Sequence, residues 1–357
     1  MLKYIFTFAL LLGLYSIAQA QNNYPSPKQG IVEVKDFTFH TGEKMDLVKL
    51  GYTTIGTLKK DANGNATNAV LIMHGTTGSG SSFLSDRFAG NLFGKGQILD
   101  ANEYFIILSD AIGHGRSSKP SDGLRMNFPR YNYDDMVNLM HGMLTEGLGV
   151  NHLRLVMGTS MGGMNSWVWG YLYPDFMDAL MPLASTPVEI AGRNRMMRKM
   201  MMDAIMDDPT WANGNYQTKP LGHKHAMHTL IMMTSSPLQW QKNYPTRESA
   251  EAYLKQRVDS YFNAIDPNDL IYAFDASRDY NPSLHLEKIK APLLSINSAD
   301  DQVNPPELEL TEQVIDRVPK GKFILLPITD ETIGHSTHSV PAVWGQYLAE
   351  FLKSTEK

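Results

Sequence analysis

One serine lies between two glycines at the junction of an apolar run and a helical pattern. The apolar run covers residues 153–157, and Gly158-Thr-Ser160-Met-Gly162 follows it directly. Small residues at positions 158 and 162 let neighbouring backbone pass closely, so a tight turn can lift the serine hydroxyl clear of a sheet. The segment therefore predicts a strand, a sharp turn and a helix, with Ser160 as the candidate nucleophile. The alternative is a glycine-rich structural turn.

A candidate acid and a candidate base follow the serine in the chain order that such an arrangement requires. An apolar run ends shortly before Asp300 and Asp301, and a second apolar run ends shortly before His335. A neutral imidazole can take the Ser160 proton while a carboxylate holds the tautomer of that imidazole and stabilises its charged form. The pattern predicts that His335 is the base and leaves either aspartate open as the acid.

A third segment predicts donors for a negatively charged oxygen. Residues 68–73 are typical of a buried strand, and the small-residue loop His74-Gly-Thr76-Thr-Gly78 follows them. A developing oxyanion is stabilised by N–H groups already aimed at it. The backbone N–H groups of Thr76 and Met161 are the candidates, and His74 is interpreted as a hydrogen-bonded residue that holds the loop.

The N-terminus predicts export. Residues 1–20 have a charged start, an apolar block and Ala18-Gln-Ala20, which is the pattern of a signal peptide cleaved after Ala20. A membrane anchor is the alternative, but the block is short for one, and no later stretch approaches transmembrane length. We therefore expect a periplasmic or secreted protein without stable membrane insertion. The chain has no cysteine, so its stability cannot depend on disulfides.

Compact apolar runs alternate with helical patterns along most of the chain. This alternation predicts an α/β fold with a mostly parallel sheet covered by helices on both faces. From about residue 186 to residue 282 no convincing strand occurs, which predicts a helical insertion that can cover a pocket as a lid. The predicted organisation is a core in two parts, residues 21–186 and 283–357, with the lid at 187–282.

Charge and composition exclude several classes of partner. Net charge is −5, with 32 basic and 37 acidic residues mixed along the chain, so no basic stripe predicts nucleic-acid binding. Methionines and three histidines, His223, His225 and His228, occur in the predicted lid and raise the alternative of a soft-metal site. We favour methionines that line an apolar pocket or lid seam, and expect neither metal nor cofactor. The composition leaves monomer and homodimer both open.

The chain resembles the homoserine O-acetyltransferase-like branch of the α/β-hydrolase superfamily from about residue 51 to the C-terminal helix. The matching segments are Gly51-Tyr-Thr-Thr-Ile-Gly56, His74-Gly-Thr-Thr-Gly78, Gly162-Gly-Met164, Tyr173-Pro-Asp175, Asp208-Pro-Thr-Trp211, Gly214-Asn-Tyr216 and Asp266-Pro-Asn-Asp269. The resemblance implies that Ser160 is the nucleophile and His335 the base. It places the family's acid motif D-x-L-x-P-P on Asp301, which leaves Asp300 as a loop-capping residue; a shift of one position would exchange the two.

Two departures from the acetyltransferase pattern bear on activity. Those enzymes usually have H-A-L-T-G where this chain has His74-Gly-Thr-Thr-Gly78, and G-H-D-A-F-L where it has Gly334-His-Ser-Thr-His338. The predicted signal peptide also weighs against an enzyme that uses cytoplasmic acyl-coenzyme A. We therefore expect an exported serine hydrolase that cleaves an ester or related acyl bond in a small-molecule substrate. The alternatives are an acyltransferase of the homoserine type and a non-catalytic or metal-binding protein on this scaffold.

Export gives a direct test. Protein isolated from the native host should begin at Gln21, because the small residues before it form the expected cleavage site. Intact-mass measurement should show the loss of residues 1–20. Recovery of the full-length chain from the cytosol would contradict the prediction.

Overall fold

The computed structural model describes residues 23–356, so the predicted signal peptide lies outside the described residues. Within that range the strands are β1 (Lys28–Thr38), β2 (Lys44–Ile55), β3 (Ala69–Met73), β4 (Phe105–Ser109), β5 (Leu155–Thr159), β6 (Leu180–Leu183), β7 (Leu293–Ser298) and β8 (Gly321–Leu326). They form one sheet in the order β1-β2-β4-β3-β5-β6-β7-β8.

The sheet is antiparallel at one edge and parallel elsewhere. Strand β1 pairs antiparallel with β2, and β2 pairs antiparallel with β4. All pairs from β4 through β3, β5, β6 and β7 to β8 are parallel. Every residue of β3, β5, β6 and β7 is buried, as expected for strands covered on both faces. The predicted fold class is confirmed.

Helices cover both faces of this sheet. The helices are α1 (Ala89–Leu92), α2 (Tyr133–Gly142), α3 (Met161–Leu172), α4 (Gly192–Met206), α5 (Leu221–Met233), α6 (Pro237–Asn243), α7 (Arg247–Ala264), α8 (Pro267–Asp275) and α9 (Pro341–Ser354). Leu71 of β3 packs in one apolar cluster with α2 and α3, whereas its neighbours Val70 and Ile72 pack in a second cluster with α1 and α9. This is the two-residue alternation of a strand. Among the described residues, no helix is both long and apolar enough to cross a membrane.

Helices α4 to α8 follow one another between β6 and β7, in the segment predicted to be a lid. They have an apolar cluster of their own, built mainly on α4, α5 and α8 and including Met201, Met202 and Met227. The hydroxyl of Ser121 in the core donates a 2.6 Å hydrogen bond to Asp269 of α8. Met201, Met202 and Met227 thus fill the space between these helices, where flexible unbranched side chains pack well, whereas Met196, Met200 and Met206 of α4 are exposed.

Two glycines beside the candidate nucleophile are required by close backbone contacts. A Cβ on Gly162 would lie 2.0 Å from the carbonyl oxygen of Met73 in β3, and a Cβ on Gly158 would lie 2.1 Å from the carbonyl oxygen of Gly162. Both distances are far below van der Waals contact. Helix α3 can therefore start this close to the sheet only without side chains at these two positions.

Replacing Gly162 by alanine should destabilise the protein. Helix propensity alone would favour alanine by about 1 kcal/mol. The contact with Met73 should outweigh this gain and lower the free energy of unfolding by about 1–3 kcal/mol, the usual cost of overpacking. Chemical denaturation measures the difference.

Gly142→Ala is the matched control, because this glycine is also helical and its Cβ would meet no atom closer than 4.0 Å. It should leave stability unchanged or raise it. Equal stability of the two variants would contradict the contact argument.

Candidate active site

Ser160 lies in a strained turn between β5 and α3. Its backbone has φ 54° and ψ −113°, a region that residues with a Cβ rarely adopt. The turn is held because the N–H of Ser160 donates to the carbonyl of Leu183 in β6 at 2.9 Å, and the N–H of Met164 donates to the carbonyl of Ser160. The strain presents the Ser160 hydroxyl to a cavity above the sheet.

His335 reaches this hydroxyl from the loop after β8. Its Nε2 lies 2.8 Å from Ser160 Oγ, although 175 positions separate the two residues in the chain. The preceding Gly334 has φ 65°, and a Cβ there would lie 2.8 Å from the carbonyl oxygen of Ser235 in the lid. Glycine therefore allows the loop to pass beneath the lid and place the imidazole beside the serine.

Asp301 completes a continuous series of hydrogen bonds. Nδ1 of His335 lies 2.9 Å from Oδ2 and 3.0 Å from Oδ1 of Asp301, whose exposed fraction is 0%. The backbone N–H groups of Val303 and Asn304 also donate to this carboxylate. Burial alone would raise the pKa of Asp301. The charge and hydrogen bond of His335, with these N–H donors, hold that pKa below its ordinary value.

The adjacent Asp300 has a different set of partners. Its Oδ2 accepts from the Gly334 N–H at 2.8 Å and from the Ser236 hydroxyl at 3.1 Å, and its Oδ1 accepts from Ser298. These bonds fasten the His335 loop and the start of α6 to the end of β7. The geometry thus separates the two aspartates, with Asp301 against the imidazole and Asp300 binding the surrounding loops.

The two predicted oxyanion donors flank the same hydroxyl. Met161 is the first residue of α3, and Thr76 lies in the loop after β3 that lines the Ser160 cavity. Within residues 23–356, neither backbone N–H has a hydrogen-bond acceptor. Unpaired donors at a helix start and in an adjoining loop are the usual composition of an oxyanion site.

Two histidines fix the Thr76 loop from behind. Nε2 of His74 accepts from the Ala111 N–H at 3.1 Å, which leaves its Nδ1 to donate to the Gly75 carbonyl at 2.8 Å. The ring of His114 lies 2.9 Å from the carbonyl of Thr76. Burial lowers the pKa of His74 to about 4, so the ring stays neutral and keeps its accepting nitrogen near neutral pH. His74 holds the loop, as its position in the sequence indicated.

The cavity above Ser160 has a volume of about 270 Å³ and is lined by both core and lid. The lid contributes apolar side chains such as Leu230, Met233 and Phe274. It also contributes Arg198 of α4, which is 4% exposed and makes no ion pair within the described residues. Its guanidinium donates to Asn194 and Ser277, and burial lowers its pKa.

Sequence reasoning did not identify Arg198, nor His338, a second imidazole that lines the cavity. No motif marks Arg198, because its place in the cavity results from how α4 packs on the core. His338 lies in the segment that departs from the acetyltransferase pattern. That departure was the sequence signal that could have identified His338.

The histidines of α5 are dispersed. His223 is buried, with Nε2 3.0 Å from the carbonyl of Ile265, and its ring faces Phe262. The rings of His225 and His228 are 6.3 Å apart. In residues 23–356 there is no group of three or more His, Cys, Asp or Glu side chains placed to hold a metal ion.

Substitution of the two aspartates should separate their roles. Asp301→Asn should reduce kcat by on the order of 10⁴, the loss seen when the acid of a serine–histidine–aspartate series is neutralised. Asp300→Asn is the matched control and should reduce kcat far less, because its carboxylate contacts loops and not the imidazole. Steady-state rates with a short-chain ester measure both. A dead Asp300→Asn enzyme beside an active Asp301→Asn enzyme would reverse the assignment.

Comparison with known sequences gives consistent matches. A family model described as alpha/beta hydrolase fold matches residues 68–322. The chain is 31% identical to a Methanothermobacter thermautotrophicus protein named "Probable acyltransferase", over 85% of this chain and 91% of that protein. It is 29% identical to a homoserine O-acetyltransferase of Haemophilus influenzae, over 80% of this chain and 88% of the relative.

Solved structures with the same fold include both reaction types. Esterase E22 superposes with a TM-score of 0.79 at 21% identity, covering 92% of this chain and 100% of its own. The homoserine O-acetyltransferase from Bacillus anthracis superposes with a TM-score of 0.78 at 23% identity, covering 91% and 97%. At these identities the likeness concerns the fold. Together with the sequence matches, it shows that the chain belongs to the α/β-hydrolase family, in the branch that resembles homoserine O-acetyltransferases.

Proposed function

We propose that this chain is a serine-dependent enzyme that cleaves a small acyl ester through an acyl-enzyme. The observation that carries the proposal is the hydrogen-bonded series from Ser160 Oγ through His335 to Asp301, which opens on a cavity of about 270 Å³. A nucleophile, a base and an orienting carboxylate in this geometry are the parts that acyl transfer requires.

The first half of the proposed reaction forms the acyl-enzyme. His335 Nε2 takes the Ser160 proton as Oγ attacks the ester carbonyl, and Asp301 stabilises the imidazolium that results. The N–H groups of Thr76 and Met161 donate to the negatively charged oxygen. When the tetrahedral intermediate collapses, the bond to the leaving alkoxide breaks and His335 returns the proton to that oxygen, which departs as an alcohol.

In the second half, water replaces the alcohol. His335 takes one proton from water as the water oxygen attacks the acyl carbon. The bond from that carbon to Ser160 Oγ then breaks as His335 returns the proton to Oγ, and the free acid leaves. Water needs no dedicated binding site, whereas a specific acceptor needs oriented partners. The proposed export of the chain also separates it from cytoplasmic acyl-coenzyme A. Both considerations support hydrolysis, and the cavity of about 270 Å³ supports a small acyl ester as the substrate.

Acyl transfer to a small hydroxyl compound is the second candidate, and the curated relatives favour it. Homoserine O-acetyltransferases recur among them at 26–30% identity. Arg198 adds a local observation, since it is the only Lys, Arg, Asp or Glu among the described residues that line the Ser160 cavity. A buried cation without an anionic partner is costly, so an acceptor with a carboxylate would offset that cost. The two candidates share the acyl-enzyme and differ in what attacks it.

Product analysis separates the candidates. With a short-chain ester, the mature enzyme should release alcohol in a burst equal to the enzyme concentration if deacylation limits turnover, and should then form free acid. Added homoserine should divert little of the acyl group, and acetyl-coenzyme A should be a poor donor. Chromatographic quantification of acid and O-acylhomoserine gives the result.

Two variants test the role of the serine. Ser160→Ala should abolish both burst and turnover. Ser85→Ala, which removes another cavity-lining hydroxyl, should retain both. Efficient O-acetylhomoserine formation from acetyl-coenzyme A with little hydrolysis would establish the second candidate instead. Full activity of Ser160→Ala would contradict both candidates.

A further inference from the structure

A second imidazole stands beside His335. His338 lies on the short turn Ser336–Ser339 that follows His335 directly. The two ring centres are 5.3 Å apart, and the ring planes meet at 85°. Both residues line the cavity that contains the Ser160 hydroxyl. The His338 ring is therefore close to the atoms that would react.

His338 has no evident structural task for its ring nitrogens. In residues 23–356 no other residue hydrogen-bonds to the ring, and its Nδ1 is buried beyond the reach of water. Its Nε2 is not among the buried unpaired atoms, so Nε2 is the nitrogen that a water can reach. Burial, then the neighbouring charge of His335, lowers the pKa of His338 to about 3. The ring consequently stays neutral and keeps one nitrogen able to accept a hydrogen bond.

The acetyltransferase pattern that this chain resembles usually has a phenylalanine at this point. Its G-H-D-A-F-L matches Gly334-His-Ser-Thr-His338-Ser, so His338 takes the place of the phenylalanine. An aromatic ring is retained and polar nitrogens are added. The difference between the two side chains is thus a hydrogen-bonding capacity beside His335, with little change in the volume that the ring fills.

We propose that His338 accepts a hydrogen bond from the water that attacks the acyl-enzyme and thereby favours water over an alcohol as acyl acceptor. This inference rests on the proposed acyl-enzyme at Ser160. Two hydrogen bonds of about 2.8–3 Å through one water can link nitrogens up to roughly 5–6 Å apart. The ring centres of His335 and His338 are 5.3 Å apart, so the two imidazoles are close enough for one water to bond to a nitrogen of each.

The number of hydrogens on the attacking oxygen makes the site selective. Water has two, so one can go to His335 while the other bonds to His338. The water oxygen forms its bond to the acyl carbon, His335 takes the first proton, and the bond from carbon to Ser160 Oγ breaks as His335 returns that proton to Oγ. The second hydrogen stays on the product acid. An alcohol has a single O–H, which His335 needs, so His338 would be left unpaired and next to an alkyl group.

The partition of the acyl-enzyme tests the role of His338. The enzyme is given p-nitrophenyl acetate with a fixed concentration of ethanol, and acetate and ethyl acetate are quantified. Because both products come from one intermediate, their ratio depends neither on the acylation rate nor on the fraction of active enzyme. His338→Phe should lower the ratio of hydrolysis to transfer about fivefold or more, as expected for the loss of one hydrogen bond. His338→Gln retains an accepting oxygen and should restore much of the ratio.

Control variants test whether the change in the ratio of hydrolysis to transfer is specific to His338. His228→Phe makes the same replacement on α5, outside the cavity, and should leave the ratio at the wild-type value. If His338→Phe is insoluble, His338→Leu replaces it, since it also removes the acceptor. An unchanged ratio in the variant without the acceptor, with the p-nitrophenol burst intact, would overturn the role of His338 and leave the proposed function standing. A wild-type enzyme without a Ser160-dependent burst would overturn the proposed function itself.

Discussion

The close approach of α3 to the central sheet is the constraint on which the candidate site depends. The backbone of Gly162 lies against the carbonyl of Met73 so tightly that no side chain fits between them. This contact brings the first turn of α3 next to the end of β5 and forces Ser160 into a strained conformation. The packing of buried strands and helices supplies the energy that holds the strain. The position of the reactive hydroxyl thus depends on the packing of the core beneath it.

The buried charged groups of the site differ in the partners that surround them. Asp301 is fully buried, yet backbone and side-chain donors surround it and its carboxylate stays ionised. Asp300 is buried beside it and ties together the loops that carry His335. Arg198 has only neutral partners. A buried cation without an ionic partner is costly, so an anionic group on a ligand would offset the cost of burying this guanidinium.

The parts of the site that the sequence could predict are those with a local pattern. Ser160, Asp301 and His335 each follow an apolar strand in a loop with recognisable turn residues, and parallel strands bring such loops to one edge. The sheet class followed from alternating apolar runs. The places of Arg198 and His338 in the cavity could not be predicted in this way. The place of Arg198 depends on how the lid helices pack on the core, and that of His338 on the direction of its side chain within a short turn. Neither property leaves a periodic signal in the sequence.

The neutral state of His74 has a consequence for the acid limit of the enzyme. Its Nε2 accepts the N–H of Ala111, and this bond exists only while that nitrogen carries no proton. Protonation of His74 near pH 4 would place a hydrogen on Nε2 facing the N–H of Ala111, so this hydrogen bond would be lost. The backbone that presents the Thr76 N–H would then be released. Loop geometry in acid is therefore governed by a histidine whose two ring nitrogens both bond to backbone. An enzyme of this design can lose its acid tolerance, or gain it, through this loop-holding position with the reacting groups unchanged.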